Sequence, residues 1–209
     1  HRDLHSFPTR RSSDLSERIA RHFHIPLQSG SDRILRGMHR WYRTGHYAER
    51  VTLIRRLLPD ASIGADVIVG FPGETPDDFR ATLEFISRLP LSYLHVFSFS
   101  ERPGTAAEKL DARVPGHVIR ERARTLRALS DKKTLEFRAS QAGRVQQAIT
   151  LARSGENWTE ALTGNYLKVR LAGRHAPNEW RDVPVPAEPG EIVAPLIREI
   201  AAHSASAGG

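Results

Sequence analysis

Cysteine is absent from all 209 residues, and methionine occurs once. The first absence excludes a disulfide framework, a zinc–thiolate centre and any iron–sulfur cluster held by this chain's own side chains. Long apolar runs are missing too. No stretch approaches the roughly 18 to 20 residues that a membrane-spanning helix requires, and the first residues lack the charged-then-apolar order of a secretory signal. Neither a Gly-Lys-Ser/Thr phosphate loop nor a GxGxxG turn occurs, which removes support for nucleotide hydrolysis and for simple dinucleotide binding. These exclusions predict a soluble, cytoplasmic protein of one or two domains with no membrane partner.

What is present is a basic excess, and it is local. The formal net charge is +7, and residues 113–144 hold nine Lys or Arg against three Asp or Glu, so one segment carries nearly all of it. Such a stretch suits contact with a phosphate backbone, although an Arg-rich helix face is equally at home in water. The candidate phosphate contacts are Arg120, Arg124, Arg127, Lys132 and Lys133 in that stretch, joined further on by Lys168 and Arg170.

Residues 1–15, HRDLHSFPTRRSSDL, show no sustained helix or strand period and resemble translated sequencing-adapter DNA. They are set aside as foreign to the fold. From His22 the pattern alternates. HFHIPLQ reads as a strand, Ser31 caps a helix to Met38, and a second helix from about Gly45 aligns Tyr47, Val51, Ile54 and Leu58 before Pro59. IGADVIVGF, residues 63–71, is nearly continuous in apolar residues, as a parallel strand buried on both faces would be. Thr75, Pro76, Asp77 and Asp78 then open a helix whose stripe is Phe79, Leu83, Ile86 and Leu89. A third strand runs from Tyr93 to Ser100. This order predicts a parallel α/β sheet, with too few strands to close a barrel.

Residues 113–142 read as a basic amphipathic linker helix with Ile119, Ala123, Leu126 and Leu129 on one side. After Gly143 short alternating segments predict a small β domain over 143–200, and the polar tail 201–209 reads as disordered.

Ligands of parallel α/β domains bind beyond the carboxyl ends of the strands, and all three strand ends here carry polar or glycine-rich loops. Gln28 and Ser29 end the first. Gly70, Phe71, Pro72, Gly73 and Glu74 end the second, and Ser100 and Arg102 the third. The glycines let a ligand approach the backbone, while Gln28, Ser29, Glu74, Ser100 and Arg102 can hydrogen-bond an amino acid, a ribose or a purine edge. Ser31 and Thr75 read equally well as plain helix caps. His22 and His24 share one side of a strand, but two histidines with no third ligand in view do not make a metal site.

HIPLQSGSDRILRGMHRWY, ADVIVGFPGET and LSYLHVFSFSERPGTAA, in this order and spacing, resemble the methylthiotransferases of the radical S-adenosylmethionine superfamily. HFHIPLQSGSD and YLHVFSFSERPGT are most similar to the branch that acts on threonylcarbamoyladenosine in tRNA. The resemblance covers about residues 22–200, because TGNYLKVRL is similar to the family's C-terminal TRAM domain, a small RNA-binding β module. It implies a fold of a partial radical-SAM (β/α) barrel over 16–112, the basic linker helix, and the TRAM domain. It also implies S-adenosylmethionine as cofactor, cleaved to a radical that activates an adenine carbon beside the anticodon, two iron–sulfur clusters in the full-length parent, and the tRNA anticodon stem-loop as partner. Gln28 and Ser29 would face the cofactor, Gly70 to Glu74 would match the fifth-strand motif near its adenine, and Ser100 to Thr105 the sixth-strand edge.

The sequence departs from that family in lacking the three N-terminal cysteines and the CxxxCxxC loop, in having Glu101 where a proline is expected, and in carrying Trp41. The resemblance therefore implies an enzyme whose chemistry this chain does not run alone. An RNA-binding module without catalysis, and a relative acting on a ribosomal protein, stand as the alternatives.

Overall fold

The computed structural model describes residues 20–100 and 112–196. The segment read as foreign, the tail from Ala201 and the candidate residue Arg102 lie outside the described residues. The described chain forms two compact units that divide between Phe137 and Arg138.

In the first unit, three parallel strands, β1 (His22–His24), β2 (Ser62–Val69) and β3 (Tyr93–Ser98), lie in consecutive order. The helices α1 (Asp32–Gly37), α2 (Thr44–Leu57) and α3 (Pro76–Arg88) fall in the two crossovers. The register pairs Phe23 with Ile63, Ala65 with Leu94 and Val67 with Val96. Because side chains alternate along a strand, Ile63, Ala65, Val67 and Val69 all point to one face, where each is fully buried. Tyr47, Val51, Ile86 and Leu89 meet them there.

The opposite face is different. Asp66 and Ile68 are only half-buried, and His24, His95 and Phe97 are exposed. The strand expected to be buried on both sides is so over Ser62–Ala65 and is covered on one side beyond, among the described residues.

The helix boundaries follow from their ends. Ser31 takes an extended conformation and its hydroxyl accepts from Ile34 N–H at 3.4 Å. Thr75 and Asp78 form a reciprocal capping box with Pro76 in the first turn of α3, which leaves few unsatisfied donors there. α2 starts without a side-chain cap from its own preceding residue; Asp32 of α1 serves instead, accepting from Thr44 N–H at 2.8 Å.

The basic segment forms one helix, α4 (Gly116–Gln141). Its first five turns are a packed element of the first unit, with Ala123 and Leu126 buried in the same apolar cluster as the strands and Ile119 and Leu129 against it. The stripe read from the sequence is the one that packs.

The second unit is a five-stranded sheet in the order β7-β4-β5-β6-β8, built from β4 (Val145–Ser154), β5 (Trp158–Thr163), β6 (Lys168–Ala172), β7 (Trp180–Pro184) and β8 (Ile192–Val193). All its pairings are antiparallel except β6 with β8. Its core is small: Ala148, Ala161, Val169, Leu171 and Val183.

Leu126 is fully buried and Leu135, two and a half turns on, is 52% exposed. Leu126→Ala is expected to cost about 2–5 kcal/mol by leaving a cavity, and Leu135→Ala less than about 0.5 kcal/mol. Urea unfolding of the two variants checks this.

Candidate functional site

The three strand ends lie side by side. Gln28 N–H donates to Asp66 O at 2.8 Å, Ile68 N–H donates to Gln28 O at 2.9 Å, and Phe99 N–H donates to Val69 O at 2.8 Å. Pairing therefore carries Gln28, Gly70 and the Ser98–Ser100 segment to one edge of the sheet. Gln28 holds φ at 69°, a left-handed conformation uncommon outside glycine. Ser100 is exposed. Gly70 has φ of 80°, and a Cβ there would come within 2.5 Å of Ile119, so the turn out of β2 requires glycine. Phe71 is 6% exposed and meets Phe99 edge-on at 5.5 Å; Pro72 is buried as well.

Several candidate residues turn out to hold the loops rather than to face outward. Ser29 is fully buried. Its Oγ lies 3.3 Å from Thr82 Oγ1 and accepts from Ser31 N–H at 3.2 Å. The Glu74 carboxylate is buried and accepts from Gly70 N–H at 2.8 Å and from Arg122 Nη1 at 2.6 Å. Burial pushes the Glu74 carboxyl above its usual range, and the hydrogen bonds from Gly70 and Arg122 oppose that rise without cancelling it. Arg122, from α4, also lies 5.3 Å over the Phe79 ring. Glu74 thus holds the Gly70–Gly73 turn from within.

A second knot lies beside it. Asp78 accepts from Ser31 Oγ at 2.7 Å, from Thr75 Oγ1 at 2.6 Å, from Thr75 N–H at 2.9 Å and from both the Nε and Nη2 of Arg33. Arg33 Nη2 also donates to Gly73 O at 2.6 Å. Burial alone would raise the Asp78 carboxyl, but the bonds from Arg33, Thr75 and Ser31 outweigh it and hold the group well below the carboxylate range. Sequence reasoning found Asp78 as a helix-start acid and missed Arg33 and Arg122, whose partners are far along the chain.

Of the candidate phosphate contacts, Arg120, Arg124, Arg127 and Lys132 are exposed. The first three stand at i, i+4 and i+7, one stripe of the helix. Lys133 does not join them: it is 6% exposed and its Nζ donates to Leu89 O at 2.8 Å and Ser87 O at 3.2 Å, satisfying carbonyls at the end of α3. In the second unit Lys168 is exposed, with Nζ 3.3 Å from Glu160, and Arg170 lies 4.6 Å over the Trp158 ring.

His22 and His24 have further company on the open face. Asp66 and His95 approach His24, and Tyr93 Oη lies 2.7 Å from His22 Nε2. Burial, then the nearness of His24 and His95, holds the His22 imidazole below its usual value.

Residues 9–86 match the family model described as the Radical SAM superfamily. The chain is 43% identical over 157 residues to the threonylcarbamoyladenosine tRNA methylthiotransferase MtaB of Aquifex aeolicus, covering 75% of this chain and 37% of that protein. It is 41% identical over 163 residues to the tRNA-2-methylthio-N(6)-dimethylallyladenosine synthase of Syntrophus aciditrophicus, covering 78% and 35%. A synthase of the same name from Mycobacterium sp. (strain MCS) is 38% identical over 200 residues, covering 89% and 37%. These matches support a radical S-adenosylmethionine methylthiotransferase family, and the chain spans little more than a third of the length of these relatives.

Two predictions follow the two knots. Arg122→Met strands a buried carboxylate and is expected to cost about 3–5 kcal/mol. Adding Glu74→Gln, which still accepts from Gly70 N–H but carries no charge, should return part of that, as equilibrium unfolding would show. For Asp78 the folded value is depressed, so its contribution to stability is complete above the ordinary carboxylate value and is lost as pH falls through that value toward the lower folded one. The urea midpoint should drop over that acid window, and Asp78→Asn should flatten the drop.

Proposed function

We propose that this chain is the C-terminal part of a tRNA methylthiotransferase that modifies an adenosine beside the anticodon, with threonylcarbamoyladenosine as the substrate. The observation that carries the proposal is the 43% identity to the Aquifex aeolicus protein over 157 residues. The dimethylallyladenosine synthases match at similar identity, so the HFHIPLQSGSD and YLHVFSFSERPGT phrases are what favour the threonylcarbamoyl branch.

The cofactors of the class divide on the residues present. Thiolate ligands for an iron–sulfur cluster are not among these 209 residues, so no step is assigned to a cluster here. S-adenosylmethionine fits the donor set at the strand ends. Gln28, although largely buried, offers a side-chain amide, the Gly73 end of the turn offers a backbone with no side chain packed against it, and Ser100 offers an exposed hydroxyl. When bound, that cofactor supplies the radical chemistry of the class. The chain's own part is to orient it: Glu74 and Arg122 fix the turn from one side, and Arg33, through Gly73 O, fixes it from the other.

The Arg120, Arg124 and Arg127 stripe is the proposed first-unit contact with tRNA phosphates. The five-stranded sheet, read as a TRAM module, adds Lys168 and Arg170. Cytoplasmic tRNA is the partner throughout.

Two experiments test this. Expression of the gene with its upstream frame in a strain lacking tRNA methylthiolation, followed by mass spectrometry of tRNA nucleosides, should show methylthiolated threonylcarbamoyladenosine. Methylthiolated dimethylallyladenosine instead would move the chain to the other branch, and the absence of both products would overturn the proposal. Separately, the 209-residue chain should bind tRNA with an affinity that falls steeply with salt, and charge reversal at Arg120, Arg124 and Arg127 together should reduce the slope of log K against log salt by about 2 to 3.

A further inference from the structure

We propose that His24, Asp66 and His95 form a binding site for a divalent transition-metal ion on the open face of the parallel sheet, separate from the strand-end loops. Each residue comes from a different strand. The register sets Asp66 opposite His95 and places His24 opposite Gly64, two residues before Asp66, so all three side chains leave the sheet on the same face. His24 Nε2 lies 2.8 Å and His95 Nδ1 3.3 Å from the same oxygen, Asp66 Oδ1. The three donor atoms all fall within 4.8 Å of one another. Bonds of about 2.0–2.2 Å to a zinc-like ion put neighbouring donors roughly 3 to 3.5 Å apart, so little movement separates this arrangement from a coordinated one.

The donor chemistry narrows the ion. Two imidazoles and one carboxylate suit zinc, cobalt, nickel or ferrous iron and disfavour magnesium and calcium, which prefer oxygen shells. Three protein ligands leave positions open to water or to a small ligand.

A supporting shell is also present. The second nitrogen of His24, Nδ1, lies 3.3 Å from Tyr93 Oη, and Tyr93 Oη in turn lies 2.7 Å from His22 Nε2. Such outer partners fix the orientation of a ligating ring. Tyr93 reaches this position because Gly64 stands beneath it; a Cβ there would overlap the phenol ring. The sequence lacked a third ligand for His24 because Asp66 and His95 enter only through strand pairing.

The chain contains no cysteine, so a thiophilic probe cannot be captured elsewhere by a thiolate. Titrating the full 209-residue chain with Co2+ at neutral pH should develop saturable visible absorption at one ion per chain, and Zn2+ should displace it. His24→Ala and His95→Ala should each abolish saturation. Asp66→Asn, which keeps the side chain's shape, should do the same with the circular dichroism of the folded chain retained. Tyr93→Phe should weaken binding by roughly 10- to 100-fold, while His46→Ala, exposed on α2, should change nothing. Absence of cobalt absorption, or zinc binding that survives loss of His24 and His95, would overturn the site and show a hydrogen-bonded side-chain network only. Neither result bears on the tRNA reading, which is tested by nucleoside analysis.

Discussion

The Asp78 carboxylate is the constraint on which the strand-end region depends. A buried charge is costly unless donors surround it, and here the donors come from separate stretches: Ser31 and Arg33 after β1, and Thr75 before α3. One acid therefore ties the loop after β1 to the loop after β2. Arg33 extends the tie to Gly73 O, and the Glu74–Arg122 pair secures the same turn from α4. The turn's backbone is held at both ends before any ligand arrives. Fixed dipoles and amides of that kind bind without first being ordered, which is how a rigid loop improves on a mobile one.

Local signals made much of this fold legible. Ser31, Thr75 and Pro76 mark helix starts because each satisfies or removes an orphan donor, and the structure uses all three in that way. The stripes of α3 and α4 follow from the 3.6-residue period and pack as that period requires. Direction was the part that could not be read. Lys132 and Lys133 are adjacent in sequence, but a helix turns about 100° per residue, so one side chain points to water and the other to the carbonyls ending α3. Spacing alone does not say which. Ser29 and Glu74 present the same difficulty: a polar residue in a loop is equally suited to a ligand and to a buried backbone amide, and only the position of Thr82, Gly70 and Arg122 decides.

Pairing was the other hidden element. Asp66 in an apolar strand, and His95 between Leu94 and Val96, each break the apolar pattern at a position that alternation assigns to one face. That these two faces coincide with the face of His24 depends on the register across three strands. The register in turn depends on crossovers containing α1, α2 and α3, which no local window contains.

The open face is graded along the strands. Near the start of β3 it carries Tyr93 and His24 on either side of Gly64, then comes the level of Asp66 and His95, and beyond it Ile68 and Phe97, the latter 51% exposed. The apolar pair thus stands between the polar cluster and the glycine turn at Gly70. Covering Ile68 and Phe97 would remove apolar surface from water, whereas contact with the histidine–aspartate level would require displacing hydrogen bonds already made. The same sheet therefore presents two chemically distinct levels, and the order of residues along β2, Asp66 then Ile68 then Gly70, sets their sequence from floor to rim.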